Sequence, residues 1–217
     1  MKKTDIIFVI SIIAILVGFA IFSSVYKDKK NDGNSSTTIK EDEGNVPQNL
    51  LSGKYYVEMS VKKYGKIQLE LDADIAPITV TNFINLVNDK FYDGLTFHRI
   101  IAGFMIQGGG YNNDGYRKTA DTIKGEFKNN GVNNSILHTR GVISMARADA
   151  YNSASSEFFI MQEDDDYLDG KYAAFGHVTK GMDVVDKIAT TAKPTDNNGS
   201  INLDERPVIE YIKVINK

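Results

Sequence analysis

Arg99 is the side chain whose position most needs a chemical reason. It lies in Phe97-His98-Arg99-Ile100-Ile101-Ala102-Gly103-Phe104-Met105-Ile106-Gln107-Gly108-Gly109, a run of large apolar residues closed by a glutamine and two glycines. Alternation along 97–101 predicts Phe97, Arg99 and Ile101 on one face of a strand, with Gly103 as the pivot into a second short run, 104–107. A guanidinium desolvated there without partners costs several kcal/mol. It must therefore snorkel to water or be held by hydrogen bonds for a purpose, and this stretch alone leaves both readings open.

Other chemistries find little support. The chain has no cysteine, which excludes disulfides, thiolate catalysis and Cys-based zinc sites. His98, His138 and His177 have no short metal-ligand spacing, and no serine sits in a Gly-x-Ser-x-Gly elbow, so a His-dependent hydrolase is disfavoured. Gly108 to Gly110 are followed by neither Gly-Lys-Ser/Thr nor a helical pattern, as a phosphate loop would require. Asp164, Asp165, Asp166 and Asp169 lack the alternate ligands and the closing Glu of a calcium loop, and read as an exposed acidic turn. A net charge of −3 and a pI near 5.7 give no electrostatic case for nucleic acid.

The elements that must position Arg99 are mostly strands. Residues 55–61 and 66–71 alternate apolar and polar around Tyr64-Gly65, a hairpin signature. Pro77 suits the first turn of a helix that continues with Val80, Phe83, Ile84 and Val87 at helical spacing. After Gly110 a Gly/Asn-rich region to about Ser135 shows little periodicity and reads as a long surface excursion of the kind that lines sites. Strands follow at 141–147, 156–161, 173–178 and 208–215, with a short helix marked by Met182, Val185, Ile188 and Ala189. Eight strands and two helices predict a mainly β domain, a closed eight-stranded antiparallel barrel capped by two helices.

The N-terminus reads differently. Lys2 and Lys3 in a tail at 1–5 precede an uncharged apolar run from Ile6 that reaches Tyr26. At 1.5 Å per residue that run spans roughly 31 Å of helix, the thickness of a bilayer core. Segment 6–26 is thus a transmembrane anchor or a signal peptide. The length favours the anchor, and Gly18-Phe19-Ala20 is a poor small-x-small cleavage site. Residues 27–50 are polar with almost no apolar positions and read as a flexible linker ahead of a folded domain at 51–217. A short tail before an export-type helix predicts a cytoplasmic N-terminus and an extracytoplasmic domain at the cell membrane, secreted if the segment is cleaved.

Several stretches together resemble one family. The run 97–109, Ser144-Met145-Ala146, Asn152-Ser153-Ala154-Ser155-Ser156-x-Phe158-Phe159-Ile160 and Leu168-Asp169-Gly170-Lys171 are similar to the cyclophilin-type peptidyl-prolyl cis-trans isomerases, in order and over about 53–217. The resemblance implies the same eight-stranded barrel and an isomerase acting on proline-containing polypeptides, with no cofactor and no metal. It implies Arg99 as the catalytic arginine and Gln107 as a polar residue beside it. Phe104, Met105, Phe159 and Leu168 match the walls of a proline pocket, and Ala146 and Arg147 fall where the family binds substrate backbone. Tyr167 and Tyr172 occupy positions where eukaryotic members often carry Trp and many members carry His. Arg147 replaces an Asn common in eukaryotic members, Ala102 a frequent Pro, and Glu157 the usual Gln. Glu157 is expected to tune the site by pairing with Arg99 or Arg147. With the anchor, these features predict a membrane-bound isomerase that assists the folding of exported proteins. A proline-peptide binding or scaffolding module without turnover is the alternative from another class.

Overall fold

The computed structural model describes residues 44–216. The expected tail at 1–5, the anchor or signal segment at 6–26 and the linker up to residue 43 lie outside the described residues. Packing begins before the expected domain start at 51. The Asn45 N–H donates to the Thr122 carbonyl at 3.3 Å, its carbonyl accepts from Lys124 N–H at 3.0 Å, and Leu51 N–H donates to Thr81 Oγ1 at 2.9 Å. A polar segment with nothing to bury can still be held when a neighbouring loop offers unpaired backbone groups.

Eight strands follow in the expected order: β1 (Lys54–Val61), β2 (Gly65–Asp72), β3 (Leu95–Ile101), β4 (Met105–Asn112), β5 (Val142–Met145), β6 (Phe158–Met161), β7 (Ala174–Lys180) and β8 (Ile209–Ile215). They form one sheet in the order β3-β4-β6-β5-β7-β2-β1-β8, with every neighbouring pair antiparallel. The sheet curls into a half-barrel. Its outermost strands β3 and β8 are joined by a few bonds in place of a continuous ladder: Gly94 N–H to Ile209 O at 2.8 Å, Phe97 N–H to Pro207 O at 2.9 Å, and a bridge between Thr96 and Val208.

Alternation decides what the inside holds. Val57, Met59 and Val61 on β1 and Ile67, Leu69 and Leu71 on β2 are all buried in the main core. Helix α1 (Pro77–Asn88) adds Val80, Phe83, Ile84 and Val87, and Phe83 meets Tyr92, Phe158 and Phe175 at ring-centroid distances of 5.1, 5.7 and 5.3 Å. Helix α2 (Met182–Thr191) buries Val184, Val185, Ile188 and Ala189.

Helix α1 has no capping side chain at Ala76 and no acidic residue in its first turn. The buried Glu126 supplies both from the 110–135 region, accepting from Ile78 N–H at 3.0 Å, Thr79 N–H at 2.7 Å and Thr79 Oγ1 at 2.7 Å. That region is therefore more than a surface excursion. Ile123 and Phe127 enter the main core on either side of this carboxylate, at a spacing too irregular to register as a periodic pattern.

On the outer surface, Glu58 at the centre of β1 gathers donors from both neighbouring strands. Lys66 Nζ lies at 2.9 Å, Tyr211 Oη at 3.0 Å, Gln68 Nε2 at 3.4 Å and Lys213 Nζ at 3.4 Å. The hydrogen bond from Lys66 is the largest cause, joined by those of Tyr211, Gln68 and Lys213, of a carboxyl held at about 2 against the usual 4.5. A depressed carboxyl stabilises the fold fully above its unfolded value, and that contribution is lost as the pH falls through the folded value. Glu58→Gln is expected to lower the melting temperature at pH 7, with the gap from the parent closing between pH 4.5 and 2 in thermal unfolding followed against pH.

Candidate active site

The site is laid out by strand register. Arg99 on β3 pairs with Gln107 on β4, Gln107 with Phe159 on β6, and Phe159 with Ser144 on β5. Four adjacent strands thus place these residues in one lateral row, about 4.8 Å apart from strand to strand. Register shifts break β3 between Leu95 and Phe97 and again between Phe97 and Arg99. The expectation that Phe97 shares a face with Arg99 is overturned by those bulges. Phe97 and Ile100 are buried in the main core, whereas Ile101 packs with a second cluster that contains Met105 and Phe159. An extra residue in one strand reverses the side-chain alternation beyond it.

That second cluster holds most of the residues singled out in the sequence. Met105, Phe159 and Leu168 are buried together with Val142, Met161 and Ala174, and Phe104, Ala146 and Tyr172 pack against them. Tyr172 meets Phe159 edge to face at 5.9 Å. Burial raises the Tyr172 phenol above its ordinary value while Arg147 and Arg99 oppose that rise. Tyr167 stands apart at the rim, 48 % exposed, with Lys171 Nζ 3.4 Å from its ring centroid.

Arg99 is held at the edge of this apolar patch by neutral acceptors. Its Nε donates to the Asn198 carbonyl at 2.7 Å and lies 3.3 Å from Asn198 Oδ1; its Nη1 lies 3.3 Å from Gln107 Oε1 and 3.7 Å from Met105 Sδ. Nη2 is buried and makes no hydrogen bond among the described residues. Burial lowers the Arg99 pKa from its ordinary value, with Tyr172 and Asp196 pulling it back, and a guanidinium stays charged through such a change. The arrangement places a charged guanidinium beside an apolar, aromatic wall.

Asn198 could not be singled out from sequence. It sits in a turn where Asp196 Oδ1 accepts from Ser200 N–H at 3.0 Å. The turn lies along the outer edge of β3: Ile100 N–H donates to Gly199 O at 2.8 Å, Ile201 N–H to His98 O at 3.1 Å, and Arg99 bridges to Ser200. Asp-Asn-Asn-Gly reads as a turn, but nothing local names the strand it docks on.

Two expectations about charged neighbours change. Glu157 pairs with neither Arg99 nor Arg147 among the described residues; its carboxylate accepts from Gln107 Nε2 at 3.1 Å and lies 3.4 Å from Arg117 Nη2 and 3.5 Å from His98 Nε2. The Arg147 side chain spans two loops, donating through Nε to Lys171 O at 2.9 Å and through Nη1 to Ala148 O at 2.8 Å and Asp149 O at 3.0 Å. Its guanidinium also lies near the rings of Tyr172, Phe127 and Tyr151.

Ser144, His138 and Asp169 form a line that spacing in the sequence does not announce. His138 Nε2 is 3.0 Å from Ser144 Oγ, and Nδ1 is 3.0 Å from Asp169 Oδ1. Burial pushes the imidazole pKa down and Asp169 pulls it up, with the first effect larger. The acidic turn is thus more than solvated surface, because Asp164 also accepts from Arg140 N–H at 2.7 Å and Asp165 from Tyr167 N–H at 3.0 Å. Among the described residues no group of three or more His, Cys, Asp or Glu is placed to hold a metal ion.

Fold and site define a half-barrel protein that carries one anchored cation beside an aromatic wall. The family model for cyclophilin type peptidyl-prolyl cis-trans isomerases matches residues 56–216. Peptidyl-prolyl cis-trans isomerase A of Dickeya dadantii is 45 % identical over 161 residues, 70 % of this chain and 81 % of that protein. Peptidyl-prolyl cis-trans isomerase B of Escherichia coli is 43 % identical over 138 residues, 59 % of this chain and 81 % of that one. A cyclophilin type isomerase of Cryptosporidium parvum has the same fold, with a TM-score of 0.60 at 24 % identity over 76 % of this chain and 99 % of that one. The chain belongs to the cyclophilin-type peptidyl-prolyl cis-trans isomerase family, and it is an isomerase of that kind.

The brace on Arg99 depends on Gly199, which has φ +87° and would place a Cβ 2.6 Å from the Ile100 carbonyl oxygen. Gly199→Ala is expected to cost about 1–3 kcal/mol of stability, by chemical denaturation, and to lower kcat/KM in a peptide isomerisation assay as Asn198 moves off Arg99.

Proposed function

We propose that Arg99 accelerates X–Pro rotation by donating a hydrogen bond to the prolyl nitrogen as the amide twists, and that the enzyme serves the folding of polypeptides outside the cytoplasm. The observation that carries the first part is the half-buried Arg99 guanidinium, held through Nε and Nη1 on neutral acceptors beside the apolar cluster and bonded to no carboxylate among the described residues. A planar amide resists rotation because nitrogen shares its lone pair with the carbonyl, giving a barrier of about 18–20 kcal/mol. In the twisted state that lone pair localises on nitrogen, so a fixed donor binds the twisted form better than either planar one. No bond is made or broken, and no proton changes hands.

The magnitudes divide the work. Raising a rate from about 0.01 to about 1,000 per second requires roughly 7 kcal/mol. One charge-assisted hydrogen bond supplies about 1.5–3 kcal/mol. The remainder falls to burial of the proline ring against Phe104, Met105, Phe159 and Leu168, and to restraint of the flanking backbone near Ala146 and Arg147, the rim of Tyr167 and Tyr172 closing the far side. A cyclophilin of Cryptosporidium parvum was solved in the presence of the dipeptide Ala-Pro, which supports a proline-containing peptide as the ligand.

Location rests on the sequence. The uncharged run at 6–26 supports a single membrane anchor with the domain on the far side, and no helix among the described residues is long and apolar enough to cross a membrane.

Arg99→Ala is expected to lose about a hundredfold in kcat while proline peptides still bind, measured by NMR exchange on a tetrapeptide. Near-normal turnover in that variant would remove the mechanism. Mass spectrometry of the protein from membranes of the expressing cell is expected to find Met1 still attached to an intact chain; a new N-terminus just after Ala20 would show cleavage instead.

A further inference from the structure

We infer that Glu157 is a positioning residue: it fixes the Gln107 side-chain amide so that its oxygen faces Arg99, with Arg117 and His98 holding the carboxylate in place. This rests on the reading of Arg99 as the donor. A glutamine amide has an oxygen on one side and an NH2 on the other, and half a turn exchanges them. With the NH2 turned toward Arg99, two sets of N–H donors would face each other and the brace on the guanidinium would be lost.

The surroundings of Gln107 choose between the two orientations. Gln107 Nε2 donates to Glu157 Oε2 at 3.1 Å and Gln107 Oε1 faces Arg99 Nη1 at 3.3 Å. An ionised carboxylate only accepts, so it is compatible with one amide orientation and not the other. A glutamine at position 157 could accept or donate, and would tolerate both.

The carboxylate is built into its place. Its side chain is 16 % exposed, and Arg117 Nη2 and His98 Nε2 flank it at 3.4 and 3.5 Å. It lies so close over β4 that a Cβ on Gly110 would be 2.5 Å from Glu157 Oε1. Burial raises the Glu157 pKa, but the hydrogen bond and charge of His98, the Gln107 amide and Arg117 together outweigh it and bring it below the usual carboxylate range. No ion pair joins Glu157 to Arg99 among the described residues, so the carboxylate acts through the amide and leaves the guanidinium free for substrate.

The test uses a proline tetrapeptide without charged side chains. Glu157→Gln is expected to lower kcat about three- to tenfold, the size of one hydrogen bond, with KM unchanged. Gln107→Ala is expected to lose at least as much, and combining it with Glu157→Gln is expected to lose no more than Gln107→Ala alone, because the carboxylate acts only through the Gln107 amide. A merely structural role predicts that the two losses add. Independently, the Gln107 side-chain NH2 signals in a nitrogen-15 NMR spectrum are expected to be distinct in the parent and broadened in Glu157→Gln. If Arg99→Ala is inactive but Glu157→Gln keeps parental kcat and sharp Gln107 signals, the inference falls and the donor reading stands. If Arg99→Ala itself turns over normally, the donor reading falls and takes the inference with it.

Discussion

A guanidinium largely taken out of water, with no ion pair among the described residues, is the constraint on which this structure turns. Ion pairing would be the ordinary remedy, but a carboxylate on Arg99 would neutralise the cation. The protein uses neutral acceptors instead: a backbone carbonyl and side-chain oxygen from Asn198, the amide oxygen of Gln107 and the sulfur of Met105. Each satisfies part of the guanidinium without neutralising it. Glu157 is kept one residue back behind the Gln107 amide.

That remedy dictates the architecture around it. All four acceptors come from β4 or from the turn that covers the edge of β3, so the brace requires β3 to be an outermost strand with a second segment laid along it. The 196–201 turn does two jobs at once. It pairs backbone groups that an open edge would leave exposed, and it delivers Asn198 to Nε. The bulge in β3 between Phe97 and Arg99 is equally required, since an unbroken strand carrying Arg99 outward would also carry Phe97 out of the main core.

Much of this was readable from the sequence where periodicity and turn chemistry carry the information. The β1–β2 hairpin, α1 beginning at Pro77 and the order of the eight strands follow from alternation and breakers. The residues that form the apolar wall were legible through family resemblance. What was hidden depends on contacts between distant segments: Asn198 reaching Arg99 across 99 positions, Glu126 capping α1 from 47 positions away at Thr79, and Glu157 turning toward Arg117 and His98. The bulges were hidden for another reason. A single extra residue leaves no mark on a seven-residue strand, yet it reverses which side chains face in.

The line of Ser144, His138 and Asp169 separates geometry from function. Its 3.0 Å spacings would suit a hydrolytic triad, and the sequence argument against such an enzyme, based on spacing along the chain, does not exclude it. Burial does. Ser144 is fully buried and His138 is 2 % exposed, so no scissile carbonyl can approach the hydroxyl. What the line touches is the aromatic wall: the imidazole stacks on Phe159 at 6.0 Å and meets Tyr172 at 6.5 Å, while Asp169 adjoins Leu168 in sequence. A hydrogen-bonded polar chain whose imidazole is pushed by burial toward the uncharged form is a rigid backing for an apolar surface. The row that begins with a charged guanidinium at Arg99 therefore ends, at Ser144, in a buried polar chain that backs the Phe159 ring.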